Sequence, residues 1–369
     1  MARPKKVSMQ NIADRLGISK NAVSLALSGK KGVSEEVRRS ALAAAKELGY
    51  GPSAESGRTV RSSRNVLVLV PERVVSCADN EHFHFFHDML WILEESIRAR
   101  GCNAVIARID GDMERNLALP GLFADVEHIG VILFGIIDKP YARMVWESAA
   151  PLVMLDSYYR DLPCAAAVSA NTEGAEAVVR RLIAEGHREI GFIGPANLTT
   201  SQEERWFGYW RAMREAGLPI RPEHTLLEAG GFGEAENERE IGEFLERIAA
   251  DGTAEDGTKR KKAAGAVSGE AGRTADGLSA KLPTAFFCGN DRIALLLIRR
   301  LRALGVAVPR QVKVAGFDGL KQAVEQEPGL LTMRVDKRRM CEAAVELLLG
   351  GYGAKREAVR WAAAGIPAG

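Results

Sequence analysis

The chain has 369 residues, enough for two or three domains, and its 46% hydrophobic and 27% charged residues are typical of a globular protein. No apolar segment of the signal-peptide type follows Met1, and the longest apolar run, Ile129 to Ile137, is too short to cross a bilayer, which argues against a secreted or membrane protein. Five cysteines without a CxxC pair argue against a disulfide framework and a zinc module, so we expect a cytoplasmic protein without metal or cofactor.

The net charge of +2 conceals an asymmetry along the chain. Residues 1–64 carry thirteen Lys and Arg against five Asp and Glu, a net charge of +8, whereas the rest carries 37 basic and 43 acidic residues, a net charge of −6. A basic head on an acidic body favours contact with the phosphates of a nucleic acid at one end of the chain only.

The first predicted elements are three short helices between Ser8 and Pro52. Ile12 and Leu16 lie on one face of the first helix, and Val23 and Leu27, four residues apart, lie on one face of the second. The third helix carries apolar residues at helical spacing, namely Val37, Ala41, Ala44, Ala45 and Leu48. These three apolar faces predict one small shared core.

The turns between the helices indicate a helix-turn-helix unit. Gly17 supplies the first turn, and Ser19 and Ser34 are suited to cap the second and third helices. Lys20 and Asn21 then begin the second helix on its polar side, where a recognition helix presents side chains to base edges in the major groove. The alternative is a plain three-helix bundle with a solvated face, which we disfavour because the turn and cap signals agree with one another.

Residues 51–64 are polar and basic and indicate a linker, after which apolar runs of strand length alternate with helical patterns. The predicted strands are Val66 to Val70, Ala104 to Ile109, Ile129 to Gly135, Leu152 to Leu155, Glu189 to Ile193, Thr225 to Leu227, Ala285 to Cys288 and Val312 to Phe317. The predicted helices are Phe85 to Arg100, Glu173 to Glu185, Gln202 to Ala216, Glu234 to Ala249 and Asp291 to Leu304. Such alternation predicts parallel sheets covered on both faces.

This organisation predicts a head at 1–50, a hinge linker at 51–64 and a two-lobed body at 65–369. We expect one doubly wound subdomain from about 65–168 with 335–363, and the other from about 169–334. Residues 251–281 hold almost no large apolar side chain and are predicted to be a disordered surface insertion.

Motifs along nearly the whole chain resemble the lactose-repressor (LacI/GalR) family of bacterial transcription regulators. The matching positions in the head are Ile12-Ala13, Gly17-Ile18-Ser19, Val23-Ser24, Leu27, Gly29, Val33-Ser34, Arg38, Leu48-Gly49-Tyr50 and Pro52. Those in the body are residues 171–175, 186–188 and 190–194, Arg205 with Gly208, residues 288–291, Val308-Pro309, residues 314–318 and Leu331-Thr332. The resemblance implies an all-α helix-turn-helix head joined to an α/β bilobed body like that of periplasmic binding proteins, with two doubly wound parallel sheets.

The resemblance also implies two sets of contact residues. Those expected to contact DNA are Ser8, Ser19, Lys20, Asn21, Ala22, Ser24, Leu25, Lys30, Thr59 and Val60. Those expected to contact a small effector are Phe85, Asp156, Arg205, Phe232, Asn290 and Asp318. Ligands of doubly wound sheets bind beyond the carboxyl ends of the strands, and carboxylates, an amide and a guanidinium beside an aromatic ring suit a polyhydroxylated ligand. The alternatives are a helix cap for Asn290, a surface ion pair for Arg205 and a core position for Phe232.

The chain departs from the family pattern at several positions. Ser56 and Thr59 stand where the family linker usually has Ala and Leu, and a glycine between them disfavours a helix, although Val60 is able to replace the leucine wedge. Leu25 replaces a common arginine, and Gly319 replaces a second acid after Asp318. The operator sequence and the ligand therefore cannot be copied from a familiar member.

Three of the six histidines, His82, His84 and His87, lie in the segment EHFHFFHD at residues 81–88. The spacing of His84 and His87 admits a metal site. We favour a loop and helix start that line the cleft, because no cysteine or further ligand cluster supports a metal.

Together these features predict a homodimeric DNA-binding repressor that binds a pseudo-palindromic operator and is controlled by a small ligand, with a sugar or sugar derivative favoured. An effector-independent regulator whose body only dimerises is the main alternative. A solute-binding protein shares the body fold but has no basic head, and an enzyme is disfavoured because no GxGxxG, P-loop or GxSxG motif is present. No catalytic residue is therefore assigned.

Overall fold

The computed structural model describes residues 8–27, 32–48, 64–75, 81–149, 151–231, 233–250, 278–354, 359–363 and 365–368. The chain divides into two compact units, Met1–Ser62 and Ser63–Gly369, which we call the head and the body. Among the described residues, no helix is both long enough and apolar enough to pass through a membrane.

The head consists of helices α1 (Met9–Leu16), α2 (Lys20–Leu27) and α3 (Glu35–Glu47). Their apolar faces meet in one core that includes Ile12, Val23 and Ala44. The turn between α1 and α2 relies on Gly17, whose φ of 63° lies in the left-handed region that favours glycine. The Ser19 hydroxyl accepts a hydrogen bond from the amide of Ala22 at 3.1 Å, as expected of an N-cap.

The body contains the remaining helices and all the described strands. The strands are β1 (Asn65–Pro71), β2 (Asn103–Ile109), β3 (Gly130–Phe134), β4 (Leu152–Leu155), β5 (Ala165–Ser169), β6 (Ile190–Ile193), β7 (Thr225–Leu226), β8 (Ala285–Cys288), β9 (Lys313–Asp318), β10 (Leu331–Arg334), β11 (Arg360–Ala363) and β12 (Ile366–Ala368). The helices are α4 (Glu72–Val75), α5 (Glu81–Ala99), α6 (Gly111–Asn116), α7 (Leu122–Asp125), α8 (Lys139–Ser148), α9 (Asn171–Ala184), α10 (Thr200–Glu215), α11 (Glu234–Ala250), α12 (Asp291–Ala303), α13 (Lys321–Gln326) and α14 (Lys337–Leu349).

The described strands form two sheets, which define two lobes. The N-lobe sheet has the order β11-β5-β4-β3-β1-β2, and the C-lobe sheet has the order β12-β10-β9-β8-β6-β7. The pairings are parallel except that of β10 with β12. The predicted fold class, a helix-turn-helix head with a bilobed body of two doubly wound sheets, is confirmed.

Both faces of the N-lobe sheet are apolar because successive residues of a strand point to opposite sides. Along β1, Val66 and Val68 belong to the core cluster that contains Met89 and Leu93 of α5, while Leu67 belongs to the cluster that contains Tyr141 and Val145 of α8. The sheet is therefore buried between helices on both sides.

Packing of the C-lobe helices is closest where α9 meets α10. A Cβ added at Gly208 of α10 would lie 2.2 Å from the carbonyl oxygen of Thr172 and 2.7 Å from the Cβ of Ala175, so no larger residue fits without moving a helix. On the sheet side of α10, Tyr209 and Trp206 pack on Phe192 with ring centroids 5.4 and 5.1 Å apart. This fit fixes the helix that carries Arg205.

The structure contains all eight predicted strands with small changes at their ends, and it corrects three other expectations. Helix α5 begins at Glu81, so the histidine segment is helical rather than a loop with a helix start. The strands β5, β10, β11 and β12, the helices α8 and α14, and the short helices α4, α6, α7 and α13 were not predicted. Leu278 is buried and the Lys281 ammonium donates to the carbonyl of Ala249, so the end of the predicted insertion is part of the fold, whereas 251–277 lie outside the described residues.

Candidate functional site

The first turn of α2 exposes two polar side chains predicted to contact DNA. Lys20 and Asn21 are exposed, while Val23 and Ala26 on the other side of the helix are buried in the head core. Ser8 and Ser19 are exposed, and Ala22, Ser24 and Leu25 are partly buried. This face offers a cation, an amide with donors and acceptors, and hydroxyls, which are the groups that phosphates and base edges require. Lys30, Thr59 and Val60 lie outside the described residues.

Two predicted effector residues, Asp156 and Asp318, occupy equivalent positions in the two lobes. Asp156 follows β4 and Asp318 ends β9, and these are the third strands of their sheets in the same strand order. Both have positive φ, 68° for Asp156 and 109° for Asp318, a backbone conformation that is unusual for a residue other than glycine. Such conformations concentrate at functional sites, where they aim a side chain.

Arg205 of α10 is buried, and each of its three guanidinium nitrogens has a partner in the protein. Nη2 forms a 3.0 Å ion pair with Asp318, Nη1 donates to the carbonyl of Gly289 at 2.7 Å, and Nε donates to Asn171 at 3.0 Å. The guanidinium also lies 3.9 Å from the centre of the Phe317 ring. It is therefore held rigidly, and the surface-ion-pair interpretation of Arg205 is wrong because the side chains of Arg205 and Asp318 are each only 6% exposed.

On the N-lobe side, Lys337 of α14 is the cation that acts on Asp156. The Lys337 ammonium lies 3.0 Å from Asp88 and 4.9 Å from the centre of the Phe85 ring, so α14 and α5 are joined there. Phe85 itself is buried in the N-lobe core. The ring of Phe85 therefore packs against Lys337 rather than facing solvent.

The carboxyl groups of the cleft are electrostatically coupled. Burial raises the pKa of Asp156 from its ordinary value to about 7, an effect opposed by Arg205 and Lys337 and reinforced by Asp318. Burial also raises the pKa of Asp318, although the adjacent Arg205 opposes this. The charges of Arg205 and Lys337 therefore act on both carboxyl groups, one from each lobe.

The loop after β4 is bound to the start of α10. The Tyr158 hydroxyl donates to Glu204 and accepts from Arg360 of β11 at 2.7 Å, and the Thr200 hydroxyl donates to the Tyr158 carbonyl at 2.7 Å. Asn171 then connects Glu204 to Arg205, since its amide nitrogen donates to Glu204 at 3.0 Å. A continuous series of hydrogen bonds thus joins the N-lobe loop that carries Asp156 to the C-lobe helix that carries Arg205.

Asn290 and Asp291 both have structural roles at the start of α12. The Asn290 side chain accepts from the amide of Ile293 at 2.9 Å and so caps the helix. Asp291 is buried and accepts from the Thr332 hydroxyl at 2.6 Å and from the Leu320 amide at 2.7 Å, while burial raises its pKa to about 8. Asn290 remains beside the site, because the carbonyl of the preceding Gly289 binds Arg205.

The remaining predicted positions are Phe232 and the histidine segment. Phe232 lies outside the described residues. His84 and His87 are exposed on α5, and His87 accepts a hydrogen bond from the Trp91 indole at 3.0 Å. Within the described part of the chain, no group of three or more His, Cys, Asp or Glu side chains is arranged to hold a metal ion.

Four residues that surround the site were not predicted from the sequence, namely Lys337, Asn171, Tyr158 and Glu204. Lys337 follows β10 closely, so the strand-end rule points to it once Leu331–Arg334 is known to be a strand. Asn171 begins a motif already noted for its family resemblance. Tyr158 and Glu204 carry no local signal, because their pairing depends on how the two lobes meet.

Comparison with known proteins agrees with both halves of the structure. The profile for bacterial regulatory proteins of the lacI family matches residues 8–53, and that for a periplasmic binding protein-like domain matches residues 179–361. The HTH-type transcriptional repressor PurR of Pectobacterium carotovorum is 25% identical over 353 residues, covering 95% of this chain and 92% of its own. PurR of Escherichia coli is 26% identical over 354 residues, again covering 95% and 92%.

Solved structures share the fold at lower identity. A complex of the transcriptional regulator CelR with cellobiose superposes with a TM-score of 0.63 at 23% identity and covers 99% of both chains. The Lac repressor dimer bound to operator and the anti-inducer ONPF gives a TM-score of 0.62 at 18% identity and covers 99% of this chain and 98% of that one. With the exposed α2 face and the two-lobed body, these findings show a LacI-family helix-turn-helix domain followed by a periplasmic binding protein-like domain, the organisation of a DNA-binding transcriptional repressor.

Proposed function

We propose that the protein is a cytoplasmic, homodimeric repressor that binds a pseudo-palindromic operator and responds to a sugar or related polyol bound between its lobes. The observation that carries the effector part is that Asp156 and Asp318 lie at the carboxyl ends of equivalent strands of the two lobes, with Arg205 of α10 paired to Asp318. The CelR–cellobiose complex supports a sugar, since its chain has the same fold over its whole length.

The proposed mechanism is differential binding without covalent chemistry. A ligand held by Asp156 of the N-lobe and by Arg205 and Asp318 of the C-lobe stabilises one lobe arrangement over others. The ligand can then change DNA affinity only by as much as its affinities for the body conformations differ. The Tyr158–Glu204 connection between the lobes is suited to transmit this change, because it joins the elements that carry both sides of the site.

A thermal-shift screen of the full chain against neutral sugars, polyols and sugar phosphates tests the effector assignment. A specific ligand at about 100 times its Kd should stabilise the body by roughly 2.7 kcal/mol, which is measurable as a rise in Tm. Absence of a shift with every compound, in a protein that still binds DNA specifically, would contradict the sugar assignment and favour an effector-independent regulator.

The DNA-reading role of α2 is tested with Asn21→Ala. Loss of one base contact should weaken specific binding by roughly 1–3 kcal/mol and leave nonspecific affinity nearly unchanged. Binding to an operator fragment and to random duplex DNA is compared by fluorescence anisotropy at one salt concentration. The control is Leu42→Ala on α3, an exposed residue for which we expect no effect on either affinity. Equal losses on both DNAs from Asn21→Ala would refute the base-reading role.

A further inference from the structure

The solvent-facing side of α10 carries two exposed aromatic rings. Phe207 is 45% exposed and Trp210 is 41% exposed, although large apolar side chains are usually covered in a folded protein. The opposite side of the same helix buries Gly208, Tyr209 and Met213, so the two rings are not needed to complete the core of the C-lobe. Neighbouring exposed aromatic rings are typical of a surface that binds another protein.

A charged residue stands at each end of this aromatic pair. Glu203 lies one helical turn before Phe207, and Arg214 lies one turn after Trp210. Residues at this spacing lie on one face of a helix, and we call these four residues the α10 stripe. Its order along the helix is acid, aromatic, aromatic, base.

Both charged ends of the α10 stripe are accessible to a further partner. Glu203 uses its Oε2 in the ion pair with Arg160, and its side chain is 33% exposed. Arg214 is exposed, lies 4.9 Å from the centre of the Trp210 ring, and has no ion pair with any residue that the structure describes. The stripe therefore offers a carboxylate at one end and a guanidinium at the other.

The α10 stripe is complementary to itself. Positions 203 and 214 have the same midpoint as positions 207 and 210, halfway between Gly208 and Tyr209. Two stripes laid antiparallel across this point therefore place the acid of each copy opposite the base of the other, and Phe207 of each copy opposite Trp210 of the other. A contact between identical chains about a twofold axis requires this kind of self-complementary surface.

We propose that the α10 stripe is a self-association surface, on which a second copy of this chain docks antiparallel about a twofold axis. The aromatic rings at the centre exclude water and supply most of the affinity, while the Glu203–Arg214 contacts at the two ends fix the direction. A different protein partner would require no such symmetry in the stripe. The proposal rests on the proposed homodimer and adds a surface through which copies of the chain join.

Sedimentation velocity of the full chain at several micromolar concentrations tests the proposal with charge reversals. Arg214→Glu places two glutamates opposite each other at both ends of the contact, and Glu203→Arg places two arginines there. Each variant alone should raise the dissociation constant at least about tenfold, seen as a shift to particles of half the mass of the unsubstituted protein. An equimolar mixture of the two variants should recover the full mass, because every end contact then joins opposite charges.

Two further variants separate pairing of the stripe from general effects. Trp210→Ala should weaken association about as much as the charge reversals, and mixing it with either of them should not restore the mass. The control is Arg310→Glu, since Arg310 is exposed on the segment before β9 and its reversal should leave the mass unchanged. Thermal melting of each variant shows whether it is folded.

Three results would overturn the proposal, and they differ in what they leave standing. An unchanged mass for Arg214→Glu, when the unsubstituted chain does associate, would keep the homodimer and assign the stripe to a different partner. A loss of mass in folded variants that the mixture does not restore would exclude the antiparallel pairing. An unsubstituted chain that is monomeric at every concentration would overturn both the stripe and the proposed homodimer.

Discussion

Replacement of Arg205 by methionine should destabilise the body because it leaves Asp318 buried without its counter-charge. Both side chains of the pair are 6% exposed, and their nitrogen and oxygen are 3.0 Å apart. Removal of one partner of a buried pair costs roughly 3–5 kcal/mol, a large part of the 5–15 kcal/mol that typically holds a domain together. Methionine fills much of the arginine volume beside Phe317, so the loss is mainly electrostatic.

The pH dependence of this loss identifies its cause. Burial already raises the pKa of Asp318, and Arg205 opposes that rise, so the variant should raise this pKa further. Below the raised pKa the carboxyl group is protonated and neutral, and the cost of burying it is smaller. The difference in unfolding free energy between Arg205→Met and the unsubstituted chain should therefore shrink as pH falls from 8 to 5.

Urea unfolding monitored by circular dichroism at several pH values measures this difference. Arg214→Met on the same helix is the control, because Arg214 is exposed and lies on the Trp210 ring, and its loss should change stability by no more than about 0.5 kcal/mol. In the double variant with Asp318→Asn, we expect part of the stability lost in Arg205→Met to return. A cost that is independent of pH, or one below about 1 kcal/mol at pH 8, would refute the reasoning.

Two further predictions concern packing and protonation. Gly208→Ala should destabilise the body by roughly 1–3 kcal/mol or more, because the added Cβ would lie 2.2 Å from the Thr172 carbonyl oxygen. The control is Gly329→Ala, which should be nearly neutral because there is open space around Gly329. Equal melting temperatures for the two variants would contradict the close packing of α9 and α10. Asp156 has a pKa raised to about 7, so between about pH 4 and 7 it keeps a proton in the folded chain that the unfolded chain releases, and its contribution to stability is lost as pH rises through 7. The unfolding free energy of Asp156→Asn should therefore fall less between pH 5 and 8 than that of the unsubstituted chain. If urea unfolding shows the same dependence of unfolding free energy on pH for both proteins, the raised pKa of Asp156 is refuted.

Local chemistry made the head and most of the body predictable. Gly17 and Ser19 perform the turn and cap roles that their residue types indicate. The strands rich in valine, isoleucine and leucine were visible because a sheet buried on both faces requires continuous apolar runs. The strand-end rule likewise pointed to Asp156 and Asp318, which the structure places at equivalent ends of the two sheets.

The features that escaped prediction depend on tertiary context. Strand β5 has the sequence AAAVS, and alanine has little preference for strands, so its pairing with β4 and β11 decides its conformation. The contact of Lys337 with Phe85 joins residues far apart in the chain. Arg205 could be taken for a surface residue because one position on a helix does not reveal whether the facing element supplies a carboxylate.

The path of the chain between the lobes has a consequence for biosynthesis. The polypeptide crosses from β5 to α9, from β10 to α14 and from β11 to β12, so each sheet contains strands separated by the other lobe. A ribosome therefore releases β1 to β5 long before α14 and β11, which cover and extend that sheet, have been made. A premature stop codon ahead of residue 337 would leave both lobes incomplete at once, and we expect such a product to aggregate rather than persist as a half-working regulator.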